Sequence, residues 1–495
     1  MNTYSKDTTA NIANIAKNRA NLDTLMANGR ENITPDSFTG SVFAMESVED
    51  AMTILNGPTG CKFYHSAMVD ERVPRSFSFD PLEYNENFYF GQPRIPCTYL
   101  DGYDYVYGSE EKLLEIIAEV ASRKPEIIGI INTPGAALIG DDLARICQKV
   151  DYDGTFVAIE NTGFSKSYSF GYQETFKEII KSVALTNSDG SHHGISSGVC
   201  PDLQEEMARF EKSAGACPSL SSELEPEYQE PKKAVNIFGL NIYQKYALEN
   251  LEAIKEILDD CNIRLNCSLV MDSKSDIEQI GDADLSIVVA EEFGLEIAKF
   301  VEDNFGVPYL VLPEGQPVGF DSTESFLKIL EEHLGADISK AQEKINRARA
   351  TSYLQIGRFS SLLGLPKGAL FTVKGEGSLV YPMTKWLVSY LGMIPVGISV
   401  IDKEDASYVD ELAVFLQSHG IKEAVIKDDI SNIPAHICFA DGNTVNQAVQ
   451  LGETNCGMEI IMPSLGYLDI LPKTLYGYKG CLWILENILN GLRFI

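Results

Sequence analysis

The sequence predicts an α/β protein built from three doubly wound, Rossmann-like domains, each a parallel sheet flanked by helices. Three observations predict it. Short, continuous apolar runs alternate with amphipathic helical stretches, as expected for strands buried on both faces between crossover helices. The alternation recurs in three blocks of one style, although no short sequence repeat accompanies it. The chain has 495 residues, room for about three domains at roughly 150 residues each.

Residues 1–40 are polar with weak helical periodicity and read as an N-terminal arm. The first domain is expected over residues 41–230. A helical pattern from Glu110 to Lys124 puts Leu113, Leu114, Ile117, Ala118 and Ala121 on one face. The apolar run Glu126–Asn132 follows as a strand, and Gly154–Ile159 as the next. Residues 188–232 are rich in Ser, Gly, Glu and Pro and read as a linker or surface excursion.

The second domain, 231–350, opens with strand Ala234–Leu240 and helix Glu249–Cys261. Strand Arg264–Val270, helix Ser275–Gly281, strand Leu285–Ala290, helix Gly294–Gly306 and strand Pro308–Leu312 continue it. Helix Ser322–Leu334 leads out. The third domain, 351–495, carries strand Ala369–Lys374, helix Thr384–Gly392, strand Pro395–Ile401, helix Tyr408–Gly420 and strand His436–Gly442. It ends in an amphipathic helix, Gly477–Leu492.

Forty Lys and Arg against 71 Asp and Glu give a net charge of −31. Such a chain repels phosphate backbones and anionic bilayers, which disfavours nucleic-acid and membrane binding. Solubility, or attraction of a basic partner, explains the excess. No run reaches the roughly 18 apolar residues of a membrane helix, and the polar start lacks the apolar core of a signal peptide. A cytoplasmic protein is expected. Its ten Cys are then thiols or metal ligands rather than disulfides. None forms a CxxC pair, so any cluster is assembled from distant loops, of one chain or of two.

Gly57-Pro58-Thr59-Gly60-Cys61 is the first candidate site. Glycines beside a thiolate let a bulky inorganic group approach the backbone, whose N–H groups then tune its potential. A tight turn with an incidental Cys explains the motif equally well. Cys97 follows Pro96, and a buried loop thiol is its plain alternative.

Taken in order, GPTGC, Cys97 with YVYGSEEKL, KPEIIGIINTPGAALIGDD and ENTGFSKSYSFGY resemble the α/β-subunit family of nitrogenase component 1. FGVPYLVLPEGQPVGFDSTESFLKIL, YLGMIPVGISV and GYKGCLWILENILNGL extend the resemblance over roughly residues 45–495. The resemblance implies a nitrogenase-like, anaerobic oxidoreductase that dimerises around an iron–sulfur cluster. It also implies electron delivery from an ATP-hydrolysing iron-protein reductase to a small-molecule substrate.

The departures narrow the role. Where the family has a third cluster Cys, this chain has Pro134, which offers neither thiolate nor N–H. Gly163 stands where one subunit type has a cluster Ser. No Cys stands near Gly239-Leu240, where the catalytic subunit holds its iron–molybdenum cofactor, and His436 is a weak match for that cofactor's His. A molybdenum nitrogenase proper is thus not expected. Cys61 and Cys97 remain as metal ligands, with Gly57 and Gly60 beside the cofactor.

A cubane cluster wants four ligands. Two per chain make four across a two-fold axis, so a homodimer sharing a 4Fe–4S cluster is one expectation and a heterodimer with a related subunit the other. The expected function is the substrate-reducing component of an ATP-dependent two-component reductase. The alternatives are a scaffold for assembling a complex metal cofactor and a structural partner subunit.

Lesser candidates have plainer readings. His65, an extra ligand or a donor near the cluster at its sharpest, reads as structural; capping explains at least one of Asp141 and Asp142; and Lys62, Arg72 and Arg75, which could hydrogen-bond an anionic cluster or substrate, read as surface residues near the first Cys. Cys456 is the first choice for any second metal site. Cys200 and Cys217 lie in the polar excursion. Lys374-Gly375-Glu376-Gly377-Ser378 lacks the full phosphate-binding patterns, so no nucleotide site is expected.

Overall fold

The structure, a computed structural model, describes residues 35–72, 95–160, 166–185, 232–401, 408–422, 425–464 and 469–493. Gly163, Arg75, Cys200, Cys217 and the side chain of Arg72 lie outside the described residues. Among the described residues there are three sheets, and every paired strand runs parallel to its neighbour. The expected fold class is therefore observed.

The first sheet contains β1 (Ala51–Asn56), β2 (Ile127–Asn132) and β3 (Thr155–Ile159) in that order. Helix α1 (Ser37–Glu46) precedes it and begins within the stretch expected to be an arm. α1 is buried along its whole length, with the Asp36 carboxylate capping it by accepting from Thr39 N at 3.0 Å. Helices α2 (Thr59–Arg72) and α3 (Glu110–Ala121) lie between β1 and β2, and α4 (Tyr168–Ile180) follows β3. Alternation sorts β2 onto two faces. Ile127 and Ile131 join the core shared with α1 and α4, while Ile128 and Ile130 join a second cluster with α3.

α1 and α4 touch backbone to backbone. A β-carbon on Gly40 would lie 2.1 Å from Tyr168 O, and one on Gly171 only 1.9 Å from Ser37 O. Glycine alone permits that approach.

The second sheet is built from β4 (Ala234–Phe238), α5 (Ala247–Asp260), β5 (Arg264–Cys267), β6 (Leu285–Val288), α6 (Glu291–Phe305) and β7 (Tyr309–Val311). Its strand order is β5-β4-β6-β7. Helices α7 (Phe320–Leu334) and α8 (Ser339–Leu363) lead on, and α8 passes residue 350 without a break.

The third sheet comprises β8 (Leu370–Glu376), α9 (Gly377–Ser389), β9 (Ile394–Ile401), α10 (Tyr408–Ser418), β10 (Ala435–Ala440), α11 (Gly442–Gln450) and β11 (Thr454–Glu459). Its order is β11-β10-β8-β9. Helix α12 (Gly477–Leu492) closes the chain's fold against α5, α7 and α8.

Strand order reverses between β4 and β6 and again between β8 and β10. Open α/β sheets place ligands at such reversals, beyond the strands' carboxyl ends. Here residues beyond the ends of both sheets line one shared cleft, including Asn241, Lys245, Gln316, Glu376 and Ile460.

Candidate metal centre

The thiol-bearing loops leave the carboxyl end of the first sheet. Residues beside Cys97 extend that sheet: Leu55 N donates to Pro96 O at 2.9 Å and Thr98 N to Leu55 O at 3.1 Å. Cys97 is thereby held in register with β1. Side chains reinforce the join. Asn56 Nδ2 donates to Asn132 Oδ1 (2.9 Å) and Ser109 Oγ (3.0 Å), and Asn56 Oδ1 accepts from Thr98 Oγ1 (2.9 Å). Gly57 N donates to that same hydroxyl at 3.0 Å.

After Gly57 the chain turns through Pro58 into α2, whose first turn carries Cys61. No side chain fits at Gly57, where a β-carbon would meet Thr133 Cγ2 at 2.2 Å. At Gly60 a β-carbon would meet nothing within 4 Å among the described residues, which leaves the approach to Cys61 open.

Cys61 and Cys97 lie near enough to each other for Cys97 to act electrostatically on Cys61. Cys61 is half-buried, whereas Cys97 is 1% exposed. Cys97 Sγ donates to Gly57 O at 3.0 Å and accepts from Tyr99 N at 3.5 Å. Burial pushes the Cys61 thiol up, and proximity to Cys97 and Asp36 adds to it. Burial also raises Cys97, against the opposing pull of the Tyr99 N–H and the Lys62 charge. Both groups are therefore protonated thiols at neutral pH, not activated nucleophiles. A metal that binds here displaces their protons.

Lys62 is not the surface residue expected from sequence. It is 3% exposed, donates to the Tyr99 hydroxyl and lies 4.8 Å from that ring's centroid. Its position on α2 turns it inward beside the thiols. His65 bridges the two helices α1 and α2. Its Nδ1 donates to Cys61 O at 2.7 Å, and its Nε2 lies 3.1 Å from Thr39 Oγ1, which ties α2 to α1. Burial lowers its pKa.

Pro134 is the first residue of a helical turn, Pro134–Ala137, capped by Thr133. Asp142 caps the following helix by accepting from Arg145 N at 2.9 Å. Asp141 instead accepts from Ser109 N (2.7 Å) and Ser109 Oγ (2.6 Å). Sequence reasoning missed Tyr105, whose ring covers Gly135. Burial raises its pKa, followed by the two thiols Cys61 and Cys97. Tyr103, Val106 and Tyr107 on the same loop, and Leu138 after the Pro134 turn, are exposed. An aromatic run within YVYGSEEKL was the available signal.

Two thiols fit half the ligand set of a cubane cluster. Among the described residues no group of three His, Cys, Asp or Glu side chains converges to hold a metal. An iron–molybdenum cofactor does not fit the central cleft. Gly239 has φ +101, and a β-carbon there would lie 2.4 Å from Ala290 O, so no Cys is admitted. Leu240 is buried in the core.

The cleft is filled instead by Lys245, which donates to Asp469 (2.6 Å), Ser464 (2.5 Å) and Glu459 (3.3 Å). The cavity that remains is about 20 Å³, room for a water molecule. This ion-pair network was not legible in sequence, because its members are far apart along the chain.

The other sequence candidates have ordinary roles. His436 Nδ1 accepts from Leu370 N at 2.7 Å. Cys456 Sγ lies 3.5 Å from His436 O, and burial pushes the thiol up to about 11. Lys374 pairs with Asp441 at 2.8 Å and donates to Thr444 at 3.2 Å.

Three parallel sheets with helices on their faces define a multi-sheet α/β protein. The chain belongs to the nitrogenase component 1 type oxidoreductase family, whose model matches residues 37–493. It is 23% identical over 340 residues to a light-independent protochlorophyllide reductase subunit of Prochlorococcus marinus (strain NATL2A), covering 68% of this chain and 57% of that protein. It is 22% identical over 357 residues to the nitrogenase iron-molybdenum cofactor biosynthesis protein NifE of Methanosarcina barkeri, covering 69% and 66%.

A nitrogenase molybdenum-iron protein alpha chain from Methanococcus maripaludis is 22% identical over 392 residues, covering 76% and 72%. The chain thus spans less than two thirds of the first two relatives. A solved structure, nitrogenase Cp1 at pH 6.5, superposes with a TM-score of 0.67 at 15% identity, covering 92% of this chain and 91% of that one. That likeness concerns the fold. No helix among the described residues is long and apolar enough to cross a membrane.

Proposed function

We propose that this chain is the substrate-reducing component of an ATP-dependent, two-component nitrogenase-like reductase. In this reading it holds a 4Fe–4S cluster between two copies of itself, with Cys61 and Cys97 of each copy as ligands. The supporting observation is the half-set of donors. Cys61 and Cys97 both lie at the end of the first sheet, near enough to interact electrostatically, no group of three metal-binding side chains converges among the described residues, and Tyr103, Val106 and Tyr107 of the same loop are exposed. Exposed apolar residues of this kind bury well against a partner.

Such a cluster supplies one-electron storage and transfer. The chain's own part is to fix the sulfur positions, keep water from Cys97 and surround the site with backbone donors and the Lys62 charge. A separate ATP-hydrolysing iron-protein reductase supplies the electrons, and a small molecule receives them. Each sheet falls within one of the proposed domains 41–230, 231–350 and 351–495.

The second reading is a scaffold for assembly of a complex metal cofactor, which the similarity to NifE supports. The filled cleft weighs against a large cargo lodged between the second and third sheets.

Anaerobic reconstitution of the purified chain with iron and sulfide tests the proposal. Iron content, electron paramagnetic resonance and dimer mass are the readouts. One cubane per dimer, lost in Cys61→Ala and in Cys97→Ala, is expected. Iron binding by both variants at the parent level overturns the ligand assignment. No iron on the parent until a related subunit is added overturns the homodimer in favour of the heterodimer.

A further inference from the structure

The chain is strongly acidic, with a net charge of −31, but α8 is basic. It carries Lys340, Lys344, Arg347, Arg349 and Arg358 against one acid, Glu343. Lys340 is paired with Asp260 (2.8 Å), Lys344 with Glu256 (3.0 Å), Arg347 with Glu343 (2.9 Å) and Arg349 with Glu324 (2.8 Å). Arg358 has no partner among the described residues. It lies between two exposed leucines, Leu354 at 56% and Leu362 at 82%. The four-residue spacing puts all three on one face, and Gly364, with φ +74, ends the helix just beyond. The distal half of α8 thus presents an exposed face that is both apolar and basic.

A complementary surface adjoins the other half of the same helix. α5 and α12, against which α8 packs, border a groove of about 540 Å³. Ala253, Pro472 and half-buried Trp483 are its apolar walls, and Glu249, Glu252 and Glu256 line it with negative charge. Its two lysines are taken, Lys473 by Asp469 (2.8 Å) and Lys479 by Glu256 (2.7 Å). Glu249 has no partner among the described residues, and Glu252 has only Lys255 (2.9 Å), so the unopposed charge is negative. Ile470 and Leu471 are exposed beside Pro472 and extend the apolar surface. Glu256 also holds Lys344 of α8, which sets the groove about four helical turns from Arg358.

We propose that two copies of this chain pair about a two-fold axis, the Leu354–Arg358–Leu362 face of each α8 seated in the other's groove between α5 and α12. An amphipathic helix face laid in an apolar groove is a common mode of recognition. Groove and helix end lie along one element, so antiparallel crossing of two α8 helices brings each end to the other's groove. One patch then meets itself, as a two-fold axis requires. Two chains of this charge repel at random contact; Arg358 meeting Glu249 and Glu252 makes this contact attractive, and the leucines bury against Trp483 and Ala253. The pairing does not depend on the iron–sulfur reading above.

Sedimentation equilibrium on the full, iron-free chain tests it. The parent is expected to dimerise. Arg358→Glu and Glu252→Arg each set like charges opposite one another twice per dimer, and each should weaken dimerisation at least ~10-fold. Leu354→Asp should do the same, with circular dichroism showing that every variant keeps its fold. An equimolar mixture of Arg358→Glu and Glu252→Arg should regain the parent's affinity, since each contact between residues 358 and 252 again joins opposite charges.

Unchanged association in the single variants, or no recovery in the mixture, overturns the seating of α8 in the groove. A parent that stays monomeric overturns a second copy as the occupant and leaves the groove to a different basic partner. A dimer that is lost in iron-free Cys61→Ala is held at the thiols instead, which also overturns the proposal.

Discussion

Lys245→Met probes how the central cleft is held shut. Lys245 has no side-chain exposure and Glu459 has 1%, while Asp469 retains 24%. Removing one partner from a buried pair costs ~3–5 kcal/mol, because the remaining charge stays desolvated. Here the lower end applies: Glu459 keeps its hydrogen bond from the Ser464 hydroxyl, and Asp469 keeps Lys473 at 2.8 Å. The expected loss is therefore ~3 kcal/mol.

Adding Glu459→Gln removes the stranded charge at nearly constant shape and should recover ~1–2 kcal/mol. Urea unfolding followed by circular dichroism measures both. A loss below ~1 kcal/mol for Lys245→Met, or further destabilisation by Glu459→Gln on that background, refutes the reasoning.

The same variant has a pH signature. Burial pushes the Asp469 carboxyl up, but Lys245 and Lys473 outweigh it and hold its pKa below 3.8. A depressed acid contributes stability that is fully present above its unfolded pKa and fades as pH falls through the folded one. The parent should therefore lose stability below about pH 4, and Lys245→Met should lose less over that window.

Three further outcomes follow from the packing. Gly239→Cys, which restores a thiol beside the cleft, should cost at least ~2–3 kcal/mol from the positive φ and the collision with Ala290, and should bind no more iron than the parent; urea unfolding and iron assay check both. Glu292 is fully buried and its Oε2 has no hydrogen-bond partner among the described residues, so burial raises its pKa. Its ionisation makes stability fall as pH rises above the ordinary carboxylate range, and Glu292→Gln should flatten that fall in denaturation measured from pH 5 to 8. In the metal-free chain, alkylation of half-buried Cys61 should be slow at pH 7 and rise about tenfold per pH unit through pH 9, as read by peptide mass spectrometry; a plateau near pH 8 would contradict its raised pKa.

Much of the fold was legible because buried strands advertise themselves. The run ending at Asn132 matched β2 to within one residue, since every position in it is buried. Ends were less legible where backbone geometry intervened. The strand expected to reach Leu240 stops at Phe238, ahead of the positive φ of Gly239. The strand expected over Arg264–Val270 stops at Cys267, because Asp272 gathers the Ser268 and Leu269 N–H groups at 2.6 Å each and turns the chain.

Helix α9 begins at Gly377, earlier than expected, because its internal Pro382 and leading glycines disguised it. Polar β11 carried little apolar signal. At the thiol centre, motif order pointed to the two cysteines. The inward turn of Lys62 depends on how α2 seats, and the approach of Tyr105 on a contact between distant loops, so neither was visible in the local pattern.

The two sulfurs are mounted differently. Cys97 rides on a segment stitched into the first sheet, whereas Cys61 rides on the first turn of α2, anchored sideways through His65 and Thr39. One sulfur thus has a fixed origin, and the other sits at the end of a stiff lever. Their separation changes only as α2 tilts. If the two thiols hold the proposed cluster, such a mount would leave it little freedom to reshape between charge states, and the nuclear rearrangement accompanying each electron would be small.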